Sequence, residues 1–405
     1  MATYRMRTGR TWRSVTAQTT TYLVLLIAGI VVLVPFVLAF FGSFKTPEDV
    51  FTYPPRLLPH VGQTVDVDGE QLPLFTVPLP DGGTATLARQ ENGTSLREFI
   101  GVDDASIVVI APRDSATPTG ETITVDGDEK DVYVVTVNGA DVTVFDNKSR
   151  IGGTYIDPDD PSAPPVFAVS ADALPVEEVQ FQTGNYSTVM QLDGFGRSLT
   201  NTVLVTVLVV IGQVFTSILG GYAFSRLRFR GRDKLFLLYL GSIMIPFVVL
   251  LIPLYRLMIT IGWGNTLTSL VIPFIFSAYG TFLMRQFFVS IPRELEEAAV
   301  IDGASRWTIL WKIFLPLSIP AVATLSTFSF LYAWNSFVWP LIIIDSGNTD
   351  GSVLALTLSV LGGRAADTPN LVLAGVVIAM IAPITVFLLA QRYFVENVAS
   401  SGLKG

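Results

Sequence analysis

Cysteine is absent from this chain, and that excludes disulfides, thiolate metal sites and cysteine nucleophiles. Histidine is almost absent too: His60 stands alone. One imidazole excludes a histidine-cluster metal site and argues against a histidine-based triad, so His60 reads as an exposed loop residue. Charge is scarce, at 15% of 405 residues against 50% hydrophobic. Soluble domains carry about 25% charged residues, so the composition indicates a polytopic membrane protein. There is no Gly-x-x-x-x-Gly-Lys-[Ser/Thr] loop to cradle ATP phosphates, no His-Glu-x-x-His helix and no Gly-x-Ser-x-Gly nucleophile elbow. Neither a catalytic residue nor a metal ligand set is expected.

The charge that is present is divided. Of 34 acidic and 26 basic residues, 25 and 9 lie between residues 44 and 197, which leaves 9 acids and 17 bases elsewhere. An acidic segment inside a basic remainder implies exposure to two compartments.

Residues 1–20 hold Arg5, Arg7, Arg10 and Arg13 without an acid, and a nearly unbroken apolar run follows from Tyr22 to Phe41. About twenty apolar residues span a ~30 Å hydrocarbon core. The run is longer than a signal-peptide core and no small-x-small site closes it, so 21–43 is expected to be an uncleaved first span with residues 1–20 cytoplasmic. From 61 to 175 the pattern changes. Asp68-Gly69, Asp81-Gly82, Asp126-Gly127 and Asn138-Gly139 punctuate β-branched runs such as Val132 to Val137. These are hairpin signals, and they predict a small acidic, mostly antiparallel β domain closed by a Pro/Asp-rich linker at 157–165. Asp126, Asp128 and Asp131 lack the spacing of a calcium loop and read as a solvated turn.

Further spans are expected at 199–224, 235–257, 267–288, 317–344 and 371–394, with an external loop at 345–370 and a cytoplasmic tail at 395–405. Arg226, Arg228, Arg230, Arg232 and Lys234 form a basic turn between the second and third spans, which belongs in the cytoplasm and leaves no reason to invoke nucleic acid. Six spans, cytoplasmic termini and an external acidic domain satisfy every charge cluster. Acids and histidines are missing at mid-depth, where a proton-coupled carrier would place them. Energy must then come from a partner.

Between the fourth and fifth spans lies a polar, helix-prone insert. Pro292 is suited to open a helix, and Glu294, Glu296 and Glu297 sit where the helix dipole favours carboxylates. Asp302-Gly303 should end it, and Ala304 to Phe314 should form a second helix before Pro316. The expectation is a cytoplasmic helix-turn-helix elbow with Ala298-Ala299 on its surface. Glu297, Ala298, Ala299, Asp302, Gly303, Ala304, Ile313, Leu315 and Pro316 fall without a gap on the pattern E-A-A-x-x-D-G-A, eight residues, I-x-L-P. The elbow therefore resembles the EAA loop of ABC importer permeases. Trp334 to Leu341 matches their W-N-x-F-x-W-P-L pattern, and Gly402-Leu-Lys-Gly405 looks like their G-x-K-G ending.

The resemblance covers about residues 1–60 and 180–405 and is similar to the maltose-type, sugar-importing permeases. It implies an all-α polytopic membrane protein of six transmembrane helices with the type I importer fold, interrupted by an extracytoplasmic β-rich insert that the family pattern lacks. The implied partners are a second permease subunit in a heterodimer, an ATPase dimer and an extracytoplasmic solute-binding protein, in a bacterial or archaeal inner membrane. ATP and Mg would sit on the ATPase, with no cofactor on this chain. Glu297 would offer its carboxylate to the ATPase, and Gly402 and Lys404 would add a C-terminal contact.

For a solute path, Thr324, Thr327, Tyr332, Asn335 and Ser336 on the fifth span and Ser277 and Tyr279 on the fourth supply hydroxyls, an amide and aromatic faces suited to sugars. Small hydroxyl residues also pack helices together in lipid, so both readings stand. The competing functions are a permease for another polar solute such as a polyol, a membrane sensor with the β domain as receptor, and a channel. No output domain follows the last span to serve a sensor, and a channel would leave the elbow without a task.

Overall fold

A computed structural model of the protein describes residues 12–79, 82–125, 127–137, 140–192 and 194–401. Arg5, Arg7, Arg10, Asp81, Asp126, Asn138, Gly139, Gly402 and Lys404 lie outside the described residues. The chain divides into two units, residues 58–181 and residues 1–57 with 182–405.

The unit from 58 to 181 is all antiparallel β. Strand β1 (His60–Gly62) pairs with β11 (Glu177–Val179), so the segment closes on itself where it begins and ends. Between them run β2 (Thr64–Val67), β3 (Glu70–Pro78), β4 (Thr84–Gly101), β5 (Val108–Pro112), β6 (Thr117–Val125), β7 (Asp128–Val137), β8 (Ala140–Ile156), β9 (Val166–Val169) and β10 (Leu174–Pro175). The sheet order is β10-β3-β4-β8-β7-β6, with β2 on β3, β5 on β4 and β9 on β8. Asp68 and Gly69 turn β2 into β3 with φ of 54° and 87°, the positive values that a two-residue hairpin needs. Register shifts between Arg89 and Glu91 and between Asn92 and Thr94 bend β4 against β8. Separate cores form on either side of that bend, one around Phe99, Tyr133 and Val144, the other around Phe75, Leu87 and Tyr155. The Pro/Asp-rich stretch 157–165 does not close the unit as expected. It joins β8 to β9, and the strands after it are too short to register as hydrophobic runs.

The other unit is helical. Helix α1 (Trp12–Gly42) offers a span from Gln18 to Gly42 whose apolar window is not buried within the chain. Helices α2 (Pro47–Val50) and α3 (Gly184–Gln191) are short, and α4 (Phe195–Arg226) is a long unbroken span. Next come α5 (Arg232–Gly241), α6 (Phe247–Thr260), α7 (Thr268–Val271) and α8 (Ala278–Ser290). The elbow holds α9 (Arg293–Ile301), α10 (Arg306–Ile309), a π-helical turn at Leu310–Phe314 and α11 (Leu315–Leu317). Helices α12 (Ile319–Trp334), α13 (Val338–Ile343), α14 (Leu354–Gly362) and α15 (Pro369–Ser401) complete it.

Among the described residues, four helical stretches are long and apolar enough to cross a membrane, and six result only if each of two bent pairs is one span. The pairs are Arg232–Met244 with Phe247–Thr260, bent by 97°, and Arg306–Leu317 with Ile319–Ile343, bent by 80°. An uninterrupted span at 235–257 was the expectation, and proline overturns it; the second bend lies at the foot of the expected 317–344 span and leaves Ile319–Ile343 as one stretch. Pro246 forces Ile245 into an extended conformation (ψ 112°), and Pro316 and Pro320 flank the second break at Ser318. The stretch 345–370 is likewise more than a loop, since it contains α14 with Leu354, Thr357 and Leu361 buried.

Helix α4 packs closely on α8. A Cβ on Gly221 would lie 2.7 Å from Met284 Cβ and 2.9 Å from the Arg285 backbone nitrogen, so only glycine permits this approach. Beyond α1, the Asn185 amide donates to the Ser43 and Lys45 carbonyls (2.8 and 2.9 Å) and accepts from Asn370 on α15 (3.1 Å). Buried Lys45 and Asp49 form an ion pair at 3.4 Å. These bonds fasten α1 to α3 and α15 where the chain leaves the first span.

Candidate functional site

The elbow begins at Pro292, whose φ of −54° precedes α9. Helix α9 ends in a paired-bond cap. The Ala304 amide donates to the Ala299 carbonyl (2.9 Å) and the Gly303 amide to that of Val300 (3.0 Å), with Gly303 at φ +79°. Nothing lies within 4 Å of a Cβ built on Gly303, so glycine serves the backbone conformation and not a close approach. Ser305 then caps α10, its hydroxyl accepting from the Thr308 amide at 3.1 Å. The π-helical turn follows just before Pro316, whose missing N–H removes one rung of the ladder.

The motif residues divide between two faces. Glu297, Ala298, Asp302, Gly303 and Pro316 are exposed, whereas Ala304, Ile313 and Leu315 are half-buried and pack on the helical core. Ala299 belongs to that core at 8% exposure, beside Tyr222, Phe288, Ile309 and Phe314. The expected surface pair therefore reduces to Ala298 alone, because α9 turns its 299 position inward. Beside Glu297 the exposed face carries Val300 and Ile301, and Trp307 stands out from α10.

The inward carboxylate is Glu296. It forms an ion pair with Arg226, the last residue of α4, at 3.4 Å, and it also accepts from Arg306. The Arg226 side chain is only 5% exposed; it donates to the Phe288 and Ile291 carbonyls and lies 4.8 Å above the Phe314 ring. Removing one partner of such a buried pair costs about 3–5 kcal/mol. Sequence reading missed this arrangement. The one available signal was that Arg226 opens the basic run directly from the end of an apolar span.

On the helical unit, α4, α8, α12 and the turn after α5 line a half-open cavity of about 530 Å³. Ser277, Tyr279 and Tyr332 line it together, with Tyr279 edge-on to Phe328 at 6.2 Å and Tyr332 beside Phe274 at 6.1 Å. Gln213, Ser242 and Ser329 also line it and were not anticipated. Gln213 was a lone amide in an apolar run, which was the readable signal. Its Nε2 donates to the Phe274 carbonyl at 2.8 Å. Thr327 and Asn335 are outside this lining, with their side chains bonded to the Ala323 and Leu331 carbonyls of their own helix. Thr324 does the same with Pro320, and Ser336 lines a separate void of about 20 Å³. Lys, Arg, Asp and Glu do not occur among the residues around the larger cavity. It can offer hydroxyls, an amide and aromatic faces, but no charge.

Residues 212–400 match the family described as binding-protein-dependent transport system inner membrane component. The arabinooligosaccharides transport system permease protein of Halalkalibacterium halodurans is 35% identical over 205 residues, covering 51% of this chain and 73% of the relative. The sn-glycerol-3-phosphate transport system permease protein of Pectobacterium atrosepticum is 35% identical over 207 residues, or 51% and 74%. The osmoprotective compounds uptake permease protein of a Synechocystis strain is 33% identical over 234 residues, or 57% and 78%. A solved bacterial ABC transporter for import of the acidic polysaccharide alginate aligns at 28% identity and a TM-score of 0.47, covering 55% of this chain and 81% of that one.

Proposed function

Because the chain belongs to the family of binding-protein-dependent transport system inner membrane components, we propose that it is an ABC importer permease for a neutral, sugar-like solute. The observation that carries the substrate class is the 530 Å³ cavity whose polar side chains are serine, tyrosine and glutamine, set beside Phe274, Phe276 and Phe328, with no Lys, Arg, Asp or Glu. A phosphate ester is bound by charge-assisted hydrogen bonds from arginine or lysine, and this wall supplies none. The relative named for arabinooligosaccharides therefore fits the cavity better than the one named for sn-glycerol-3-phosphate. A polyol is the second reading, since the same hydroxyl and amide groups suit it. Ser277, Tyr279 and Tyr332 are the solute contacts within this proposal, joined by Gln213, Ser242 and Ser329.

The energy enters at the elbow. Exposed Glu297 and Ala298, the apolar pair Val300 and Ile301, and the sharp Gly303 turn make a compact knob for a cleft in a separate ATPase subunit. A second permease, in a heterodimer, would complete the pore, and a solute-binding protein would deliver the cargo. The elbow and the basic run from Arg226 to Lys234 are assigned to the cytoplasm, and the β unit to the outside.

Reconstitution in proteoliposomes with the binding protein and ATPase tests the assignment. Uptake of a labelled neutral oligosaccharide is expected, with no uptake of sn-glycerol-3-phosphate. The reverse preference would overturn the substrate class, and failure of any ATPase subunit to co-purify would overturn import itself.

A further inference from the structure

We propose that Glu296 is the joint that makes α4 follow the elbow, with Arg226 as its partner. The inference rests on the reading that the elbow receives the ATPase. By chain connection the elbow is tied to α8 through Ile291 and Pro292, and to α12 through Ser318. Helix α4 has no such tie, because Arg226 lies 70 residues before Glu296. Yet α4 supplies part of the cavity wall through Gln213. In one unbroken helix, the thirteen residue steps from Gln213 to Arg226 amount to about 20 Å. Displacement of its end therefore reaches the wall as a rigid-body motion.

Arg226 provides the grip. One amino group of its guanidinium donates to the Phe288 and Ile291 carbonyls, where α8 gives way to α9. The other pairs with Glu296 on α9 at 3.4 Å, and the guanidinium plane rests 4.8 Å from the Phe314 ring ahead of α12. These four partners all fall on the elbow or on an element joined to it. Glu296 also accepts from Arg306, across the Gly303 bend, so one carboxylate links the end of α4, α9 and α10. Directional, charge-assisted bonds hold register where apolar side chains would slide. The Arg226 arm is 5% exposed and poorly screened, whereas Arg306 is 57% exposed and its arm is weakened by solvent. Glu296 is thus a positioning residue, touching neither solute nor nucleotide.

The test uses the complete complex in proteoliposomes, read as solute transported per ATP hydrolysed. Glu296→Gln is expected to keep its ATPase subunits and its basal hydrolysis while that ratio falls at least about tenfold. Glu296→Asp should recover part of the ratio, and Arg306→Ala should stay within about twofold of the parent. An unchanged ratio in Glu296→Gln overturns the joint. Should that variant fail to assemble, the cysteine-free chain allows spin labels at Arg228→Cys and Glu294→Cys, both exposed positions outside the docking knob. Their separation is expected to be the same with and without ATP, and a nucleotide-dependent change overturns the joint. Loss of coupling in Glu297→Lys with ATPase detachment supports the docking reading separately. If the ATPase never binds the parent chain, the docking reading falls and the joint falls with it.

Discussion

The amide of Ala304 reaches back 2.9 Å to the carbonyl of Ala299 and closes the first helix of the elbow around Gly303. That bond requires φ of +79° at Gly303, while the space a side chain would occupy is open. Substitution there should strain the backbone without crowding anything. Gly303→Val is expected to lower stability by about 1–2 kcal/mol, and Gly303→Asn by less, because asparagine tolerates the left-handed region. Thermal unfolding of the purified protein in micelles measures both. Equal losses would show that crowding matters after all.

Gly221 presents the opposite case. Its missing Cβ faces Met284 Cβ at 2.7 Å and the Arg285 backbone nitrogen at 2.9 Å, and backbone cannot step aside. Gly221→Ala is expected to cost about 1–3 kcal/mol through overpacking of α4 on α8. Gly241→Ala, with nothing within 4 Å of its Cβ, should be neutral or slightly stabilising in the same unfolding measurement.

Within the cavity, Tyr332→Phe removes one hydroxyl from the wall and leaves the ring against Phe274. Loss of a single neutral hydrogen bond is worth about 0.5–1.5 kcal/mol, so KM for transport should rise about two- to tenfold. Thr327→Val serves as the control, because that hydroxyl is already satisfied by the Ala323 carbonyl at 2.9 Å. Uptake kinetics that respond to Thr327→Val and ignore Tyr332→Phe would move the path elsewhere.

In the β unit, burial pushes the Glu98 carboxyl upward, but hydrogen bonds from Arg150, Asn147 and Lys148 outweigh it and hold the group below its ordinary value of 4.5. A depressed carboxylate contributes stability that is fully present above pH 4.5 and is lost as pH falls through the lower, folded value. Because β1 and β11 close this unit on itself, the fragment 58–181 is expected to fold alone. Its midpoint in urea should drop on acidification below about pH 4.5, and Glu98→Gln should flatten that drop. A fragment unfolded at neutral pH would contradict the first expectation, and an unchanged acid profile the second.

Much of the architecture was legible because membrane spans and hairpins announce themselves locally. The apolar run after Tyr22 needs only length, and Asp68-Gly69 needs only its own φ preference. The breaks were harder to read. Pro246 was visible as a proline, but a proline inside an apolar run does not say whether the helix kinks gently or turns through nearly a right angle. Helix α14 was hidden for a similar reason, since its short apolar stretch sits among the glycines and aspartates of 345–370.

Residue order by itself pointed to a membrane transport component, which the family match bears out, and to the proposal that a partner drives it. Nine motif positions, an absent phosphate loop and the placement of arginines are all properties of the string. Which carboxylate of Glu294, Glu296 and Glu297 faces inward, and which hydroxyls share a cavity, depended on helix phase and on contacts between segments distant in sequence. Arg226 meets Glu296 where α4 and α8 approach over glycine, and Ser277 and Tyr332 share a cavity because α12 packs across both helices. Packing of that kind is a many-body property, and a local pattern carries no record of it.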